Sequence, residues 1–285
     1  MRVLDDFSSG KEANLESIRA DVELIRGDIR DADLVAKAAK GVDIVFHEAA
    51  LGSVPRSVAD PLTTHEVNIT GTLNVFLAAR DAGVKRVVYA SSSSVYGETP
   101  ELPKRESMTP HPLSPYALSK LAGEHYAGVF KHVYGFEIVS LRYFNIFGPM
   151  QDPESQYAAV IPRFITALLG GARPVVYGDG LQSRDFTYVD NVVEANLLAA
   201  EAAGAAGQAF NVACGGRYSL LDLLARLKEI LGSDIDPVHE PPRAGDVRDS
   251  QASVEAAERS LGYLVSVDFE EGLRRTAEWY QAHQG

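Results

Sequence analysis

From Arg2 to Leu141 short apolar runs alternate with stretches of helical character, and no other feature of the sequence narrows the fold as far. Arg2–Leu4, Val22–Arg26, Asp43–Phe46, Arg86–Ala90 and Glu137–Leu141 are mostly continuous runs, without the polar alternation of a half-solvated strand. Strands of that kind belong in a parallel sheet covered on both faces. Helices are expected between them at Lys11–Arg19, Asp31–Ala39, Pro61–Ala82 and Pro115–Tyr134. Pro61 and Pro115 suit a first helical turn, where a missing N–H costs nothing, and Gly83 and Gly135 suit the position just past a helix end. The expected fold class is α/β, with a doubly wound parallel sheet.

After about Gly148 the rhythm loosens. Short strands are expected at Val175–Tyr177, Phe186–Val189 and Ala209–Val212, with helices near Ala158–Leu169, Asn191–Ala203, Leu220–Leu231 and Phe269–Ala282. The loops are rich in Pro and Gly, as in Glu240-Pro241-Pro242-Arg243-Ala244-Gly245. This reads as a smaller α/β lobe, residues 151–285, set over the carboxyl edge of the sheet formed by residues 1–150. Ligands of such sheets sit there.

The 285 residues are 46% hydrophobic, enough to bury a large core, and 23% charged. A formal net charge of −12 repels phosphate backbones, so nucleic acid is not an expected partner. A small anion is a different matter, because a few arginines in one cleft outweigh a distant average. The single Cys214 cannot form an internal disulfide and suits a reducing compartment. With no signal peptide at Met1 and no run long enough to span a bilayer, the expectation is a soluble, cytoplasmic protein without membrane partners or a metal site.

A doubly wound dinucleotide fold normally opens with a strand, a glycine-rich turn and a helix whose N-terminus holds the pyrophosphate. Nothing like G-x-x-G-x-x-G occurs near Met1. The chain begins in what reads as the second strand, followed by Asp5-Asp6-Phe7-Ser8-Ser9-Gly10. A carboxylate there is the usual ribose-hydroxyl ligand of such folds. A polar turn before a helix accounts for the same residues. The first βα unit is therefore expected to be missing, through a misplaced start, a fragment or a truncation, which would leave a gap or an open edge in the sheet.

Tyr116 and Lys120 lie four apart, which on a helix puts both side chains on one face. A phenol ordinarily keeps its proton to about pH 10, and a neighbouring ammonium favours the phenolate. The spacing is also that of any exposed helix face. A second element sharpens it. Val87-Val88-Tyr89-Ala90 runs into Ser91, Ser92, Ser93 and Ser94, so hydroxyls stand at the carboxyl end of a central strand, about 24 residues before Tyr116. Such a hydroxyl can bind a substrate alcohol and relay its proton to the phenol. A serine-rich turn is the plainer alternative.

Strand-end serines followed at this spacing by Tyr-x-x-x-Lys resemble the catalytic triad of the extended short-chain dehydrogenase family, and further motifs resemble the family along nearly the whole chain. The resemblance implies a Rossmann-like NAD-binding domain and assigns roles. Ser92, Tyr116 and Lys120 would be catalytic. Asp5, Phe7, Ser8, Ser9, Gly10, Asp28 and Ile29 would line the adenosine end of NAD. Ala49, Ala50, Asn68, Tyr116, Lys120 and Tyr143 would line the remainder. Gly52, Ser53, Ser92, Ser93, Ser94, Tyr116, Asn145, Ala159, Val160, Phe164, Tyr177 and Ser250 would contact a nucleotide sugar. Arg184 and Arg243 would hold its diphosphate, and Asp246 its ribose.

Within that family the 4,6-dehydratases carry Asp and Glu just after the strand-end hydroxyl, because eliminating water needs an acid and a base. Ser93 and Ser94 stand at those positions, and decarboxylases tend to carry Glu at the second. Epimerisation is therefore favoured. Leu51–Ser57 and Tyr157–Pro162 resemble the UDP-N-acetylglucosamine 4-epimerase branch, and the small Ser250 should leave room for an N-acetyl group. The implied reaction is NAD-dependent inversion at C4 of a UDP-hexose through a 4-keto intermediate. Other possibilities are a UDP-glucuronate 4-epimerase, a reductase, or a UDP-sugar-binding remnant without turnover. The resemblance also implies a homodimer through the helices Pro61–Ala82 and Pro115–Tyr134.

Overall fold

The computed structural model of the protein describes residues 1–153, 159–242 and 248–283. The chain forms two compact units. Met1–Gly97, Pro110–Arg142 and Asn196–Phe210 make the first; Glu98–Thr109, Tyr143–Ala195 and the residues from Asn211 onward make the second. Where the sequence suggests one cut near residue 150, segments of the two units alternate along the chain.

The strands lying wholly or partly in the first unit are β1 (Arg2–Asp5), β2 (Glu23–Arg26), β3 (Ile44–His47), β4 (Arg86–Ser92), β5 (Ile138–Tyr143) and β6 (Ala209–Val212). They form two pieces. One has the order β6-β5-β4-β3, with β3 and β4 parallel from Ile44 opposite Arg86 to His47 opposite Tyr89. The other is the parallel pair β1-β2. Among the described residues β1 and β3 share no ladder. Side chains join the pieces instead: Leu4 of β1 and Val45 of β3 both pack against the cluster of Ile29, Val35, Ala39, Val75 and Ala78. The doubly wound α/β arrangement is as expected, and so is the break in its sheet.

Helices α1 (Ala32–Ala39), α2 (Thr72–Asp81) and α3 (Pro115–Tyr134) supply the covering layer. Pro61 and Pro115 sit in first turns, and Gly135, at φ 65°, ends α3 in the left-handed conformation that a side chain disfavours. Two expectations need correction. Lys11–Arg19 is not an α-helix: Glu12–Asp21 winds as a 3₁₀ helix with no buried side chain, because the segment has no apolar stripe to hold it against a core. The expected helix Pro61–Ala82 is continuous but not uniform. Between Pro61–His65 and α2, residues Glu66–Gly71 widen into a π-helix. Gly71 permits this: a Cβ there would lie 2.6 Å from Ile29.

The second unit buries its own core, in which Phe147, Phe186 and Phe269 meet with ring centroids 5.4–6.4 Å apart. Helices Val160–Leu169, Leu220–Leu231 and Phe269–Ala282 enclose it. The strand expected at Phe186–Val189 is reduced to Thr187–Tyr188, because Val189 already begins the helix Val189–Glu201. A further helix, Glu255–Leu261, gave no signal above the surrounding loop. Among the described residues no helix is long and apolar enough to cross a membrane.

A two-stranded ribbon held by one ladder opens more easily than the interior of a four-stranded piece. Amides of Val3, Leu4, Leu24 and Ile25 should therefore exchange with deuterated solvent at least tenfold faster than those of Val87 and Val88, a difference that mass spectrometry of peptic peptides resolves.

Candidate active site

Helix α3 starts where Ser114 caps it, its hydroxyl accepting from the Ala117 N–H at 3.1 Å. Tyr116 and Lys120 then fall on successive turns of one face, and α3 packs on β4. Lys120 is only 4% exposed, and its Nζ donates to the Ala90 carbonyl at 2.7 Å. The ammonium lies 5.2 Å from the ring centroid of Tyr89 and 6.0 Å from that of Tyr116. Ser92, the last residue of β4, lies beside the Tyr116 phenol, close enough to act on its pKa. The structure thus brings Ser92, Tyr116 and Lys120 together at the carboxyl end of a strand.

The electrostatics differ from the sequence expectation. Burial raises the pKa of the Tyr116 phenol, with the Ser92 hydrogen bond opposing. Burial likewise brings Lys120 down to about 8, with Glu48 opposing. The ammonium does not carry the phenol below its ordinary value in this arrangement. Removing water penalises the phenolate, and the ammonium spends its donor on Ala90.

A dense buried layer holds these groups. A Cβ on Gly123 would lie 2.4 Å from the Tyr89 ring, so only glycine lets α3 come this close. His47 stacks on Tyr89 at 5.7 Å and shares a 2.9 Å hydrogen bond with Thr72; burial pushes its pKa down to about 3, leaving a neutral imidazole. One turn beyond Lys120, Glu124 accepts from Ser91 Oγ at 2.5 Å and from Arg142 at 2.9 and 2.7 Å. Along the stripe Tyr116, Lys120, Glu124, the last two therefore fasten to the consecutive strand residues Ala90 and Ser91, and Tyr116 lies beside the next, Ser92. Gly123, Glu124, Arg142 and Tyr89 were not foreseen. For Glu124 the signal was the four-residue repeat continuing past Lys120.

The residues expected to line NAD divide into several settings. The Asp5 carboxylate accepts from the Phe7 N–H at 2.7 Å, Ser8 bonds Asp6, and the Gly10 backbone folds back to within 3.5 Å of Asp5 when measured from an added Cβ. Phe7 adopts φ 55° under the Arg26 guanidinium, 5.0 Å from its ring. This is a polar turn built around a carboxylate, and Ser9 is exposed within it. Asp28 is engaged by Arg30 at 2.6 Å, which holds its carboxyl below the usual range. Ile29 points into the apolar cluster, so only its backbone could face a ligand. Ala49 and Ala50 follow β3, the first exposed and the second half-buried. Asn68, inside the π-helix, is buried and fully engaged: it accepts from the Leu51 N–H at 2.8 Å and donates to Leu51 O and Ser119 Oγ at 3.2 and 3.1 Å. It fastens the loop after β3 to α3.

Of the expected sugar contacts in the first unit, Gly52 has open space around its Cα, whereas the Ser53 hydroxyl caps the short helix Val54–Ala59. Ser93 and Ser94 open a 3₁₀ turn in which the Ser94 N–H donates to Ser92 Oγ at 3.2 Å. The Ser94 hydroxyl is buried without a hydrogen-bond partner among the described residues.

In the second unit Asn145, Ala159, Val160, Phe164, Tyr177 and Arg184 line one cavity of about 230 Å³. Asn145, at φ 33°, is held by donating to the Asp185 carbonyl at 3.1 Å. Arg184 Nη1 donates to the carbonyls of Ser183 and Arg248 at 2.9 and 3.2 Å. Asp185 turns the other way and grips the Cys214 and Ala252 N–H groups at 3.1 and 3.0 Å. Arg163 and Gln182 also line the cavity and were missed. Ser250 is not among the lining residues; its N–H donates to Ser183 O at 3.1 Å. Tyr143 ends β5 in the second unit, and Arg243 and Asp246 lie outside the described residues.

Residues 2–213 match the model of the NAD dependent epimerase/dehydratase family. A UDP-glucose 4-epimerase of Mycolicibacterium smegmatis is 40% identical over 282 residues, covering 98% of this chain and 90% of that protein. The solved structure of UDP-N-acetylglucosamine 4-epimerase from Methanobrevibacter ruminantium, in complex with UDP-N-acetylmuramic acid, is 43% identical. It superposes with a TM-score of 0.95, covering 99% of this chain and 91% of that one. The UDP-glucose 4-epimerase of Thermotoga maritima with UDP-glucose gives 36% identity and a TM-score of 0.95, covering 100% and 91%.

The burial of Lys120 is measurable. Its pKa is about 8 in the fold against 10.5 for the ordinary side chain. Between those values the unfolded chain binds more protons, so stability rises with pH; below pH 8 both states are charged and the burial cost is complete. Lys120→Met should therefore be more stable than the parent by roughly 1–3 kcal/mol at pH 7, and the advantage should shrink toward pH 10. Urea unfolding at the two pH values checks both parts.

Proposed function

The chain belongs to the NAD dependent epimerase/dehydratase family, and from that premise we propose that it inverts C4 of a UDP-hexose through a 4-keto sugar. It is an NAD-dependent epimerase; the sugar is the part proposed. The observation that carries the reading is the meeting of Ser92, Tyr116 and Lys120, with the serine beside the phenol and the ammonium anchored behind it.

The first unit offers a fitting seat for a dinucleotide. The carboxyl ends of β1, β3 and β4 carry a carboxylate in a backbone turn, two small residues that leave space, and the hydroxyl–phenol–ammonium group. Asp5 would hold a ribose hydroxyl. Ala49 and Ala50 would border the cofactor, and Lys120 would hold the second ribose. When bound, NAD supplies the hydride acceptor that makes the sugar carbon a ketone and returns the hydride to it.

The protein's own residues supply the proton chemistry. Tyr116 takes the proton of the 4-hydroxyl as the carbon is oxidised and gives it back to the opposite alcohol. Ser92 holds the reacting oxygen and shares the proton. Lys120 supplies the positive charge that offsets the phenolate in a site where burial alone opposes it. Elimination of water is disfavoured, because the residues after Ser92 are Ser93 and Ser94, neither of which serves as a carboxylic acid. Arg184 would hold the diphosphate, joined by Arg243. Among hexoses the proposal favours those with a 2-acetamido group, UDP-N-acetylglucosamine and UDP-N-acetylgalactosamine, supported by the 43% identity to a UDP-N-acetylglucosamine 4-epimerase.

We also propose a homodimer. Leu118, Val129, Val133 and Tyr134 on α3, with Leu62 beside Pro61, are all at least half exposed, more apolar surface than packing on the sheet requires. Leu118→Glu with Val129→Glu should convert a dimer into monomers in sedimentation velocity.

Tyr116→Phe should lower kcat by about 10²–10⁴-fold while leaving the affinity for UDP within a factor of about three. Product analysis by NMR over a panel of UDP-glucose, UDP-N-acetylglucosamine and UDP-glucuronate reads both the loss and the preferred sugar. Near-normal turnover of the phenylalanine variant would overturn the catalytic assignment.

A further inference from the structure

Tyr89 is a buried phenol to which the proton chemistry above gives no part, yet its ring faces the Lys120 ammonium. It stands on β4, one residue before Ala90, whose carbonyl accepts from Lys120 Nζ at 2.7 Å. Among the described residues no second oxygen accepts from that ammonium. Its nearest aromatic neighbour is the Tyr89 ring, with the centroid 5.2 Å from Nζ, closer than the 6.0 Å of the Tyr116 ring. The Tyr89 ring is itself braced. His47 stacks on it at 5.7 Å with 30° between the planes, and Phe76 meets it edge-on at 5.6 Å. Thr72 fixes the imidazole through the 2.9 Å hydrogen bond to Nε2, and the Tyr89 hydroxyl donates to the Lys120 carbonyl at 3.4 Å.

An ammonium taken from water into a packed interior loses its hydration, and one carbonyl replaces little of it. The negative face of an aromatic ring is a partner that brings no counter-charge, and its attraction for a cation grows as water is removed. A carboxylate in the same place would hold the ammonium more tightly but would repel a phenolate formed nearby. The charged groups around Lys120 leave this role to the ring. From β3, His47 is neutral, because burial and the Lys120 charge hold its pKa down to about 3, and Glu48, which favours the ammonium, is exposed. From β5, Arg142 is matched by Glu124 of α3. We propose that Tyr89 is a positioning residue: its ring face is the second partner of the Lys120 ammonium and fixes that charge at one place behind the Tyr116 phenol, with His47 and Phe76 keeping the face turned toward it. Tyr89 acts through Lys120, and its link to turnover rests on the epimerase reading above.

NMR titration of the full chain with its eight lysines carrying carbon-13 at Cε tests this without requiring turnover, and Lys120→Met identifies the Lys120 signal. Attraction to the ring favours the charged amine, so a weaker face must lower the pH at which Lys120 loses its proton. Tyr89→Phe keeps the face and should leave that midpoint within about 0.3 pH units of the parent. Fluorinated phenylalanines installed at position 89 keep the ring's shape, and with it the fold, while draining charge from its face. The Lys120 midpoint, about 8 in the parent, should then fall with each added fluorine, by about one pH unit in all for a trifluorinated ring. An unchanged midpoint across the fluorine series would overturn the proposal, because a ring that only fills space is indifferent to how its charge is distributed. Kinetics with NAD and either UDP-glucose or UDP-N-acetylglucosamine supplies the link to turnover. The alkaline limb of kcat should move to lower pH by the same amount, with the plateau below it kept. If the NMR midpoint moves and the kcat limb does not, the ring holds the charge as proposed, and the role given to Lys120 in the epimerase reading is what fails.

Discussion

A single buried ammonium organises the first unit. Lys120 has almost no contact with water, and its charge is carried by one backbone carbonyl and two aromatic faces. Such a group is tolerated only where its surroundings are rigid, because any loosening that strands the charge costs more than the contacts supply. The surroundings are rigid. Gly123 brings α3 against the Tyr89 ring, His47 supports that ring from beneath, and the Arg142–Glu124 pair fastens the strand end from the far side. The site is a place where stability is lowered so that a charge can stand beside a phenol.

The two arginine-bearing parts of the chain follow opposite electrostatic rules. Arg142 is closed off by a bidentate carboxylate in the core, and its role ends with packing and alignment. Arg163 and Arg184 stand in a cavity with no acid among its described lining residues. An overall acidic surface and a locally basic cavity are compatible, because screening confines surface charge to about a Debye length, roughly 8–10 Å.

Much of the proposed catalytic arrangement was legible in the sequence for a geometric reason. A four-residue spacing on a helix and a strand ending in hydroxyls are local facts, and local facts survive folding. Tyr116, Lys120 and Ser92 needed only that β4 and α3 be adjacent. The phenol's titration was not legible, since it depends on how much water the finished fold removes. Ile29 read as a ligand contact and faces the core, because a turn's sequence does not reveal which way its side chains point. Asn68 read as a cofactor contact, and its amide is engaged by a loop 17 residues away and by Ser119. Arg163 was missed because one arginine in an apolar helix has no distinguishing neighbour until Tyr177 arrives from another strand.

The π-helical segment Glu66–Gly71 carries a consequence for how this region tolerates length change. A π turn holds one residue more than an α turn within the same hydrogen-bonded rod. Deleting a single residue here need not break the helix; it could relax into plain α geometry and leave α2 in place. Asn68 would then rotate by about 100° about the axis, the angular step of one residue. Its three hydrogen bonds to Leu51 and Ser119 would be lost together. The segment behaves as a counted spacer: its residue number, more than its composition, keeps the loop after β3 in register with the helix that bears the phenol.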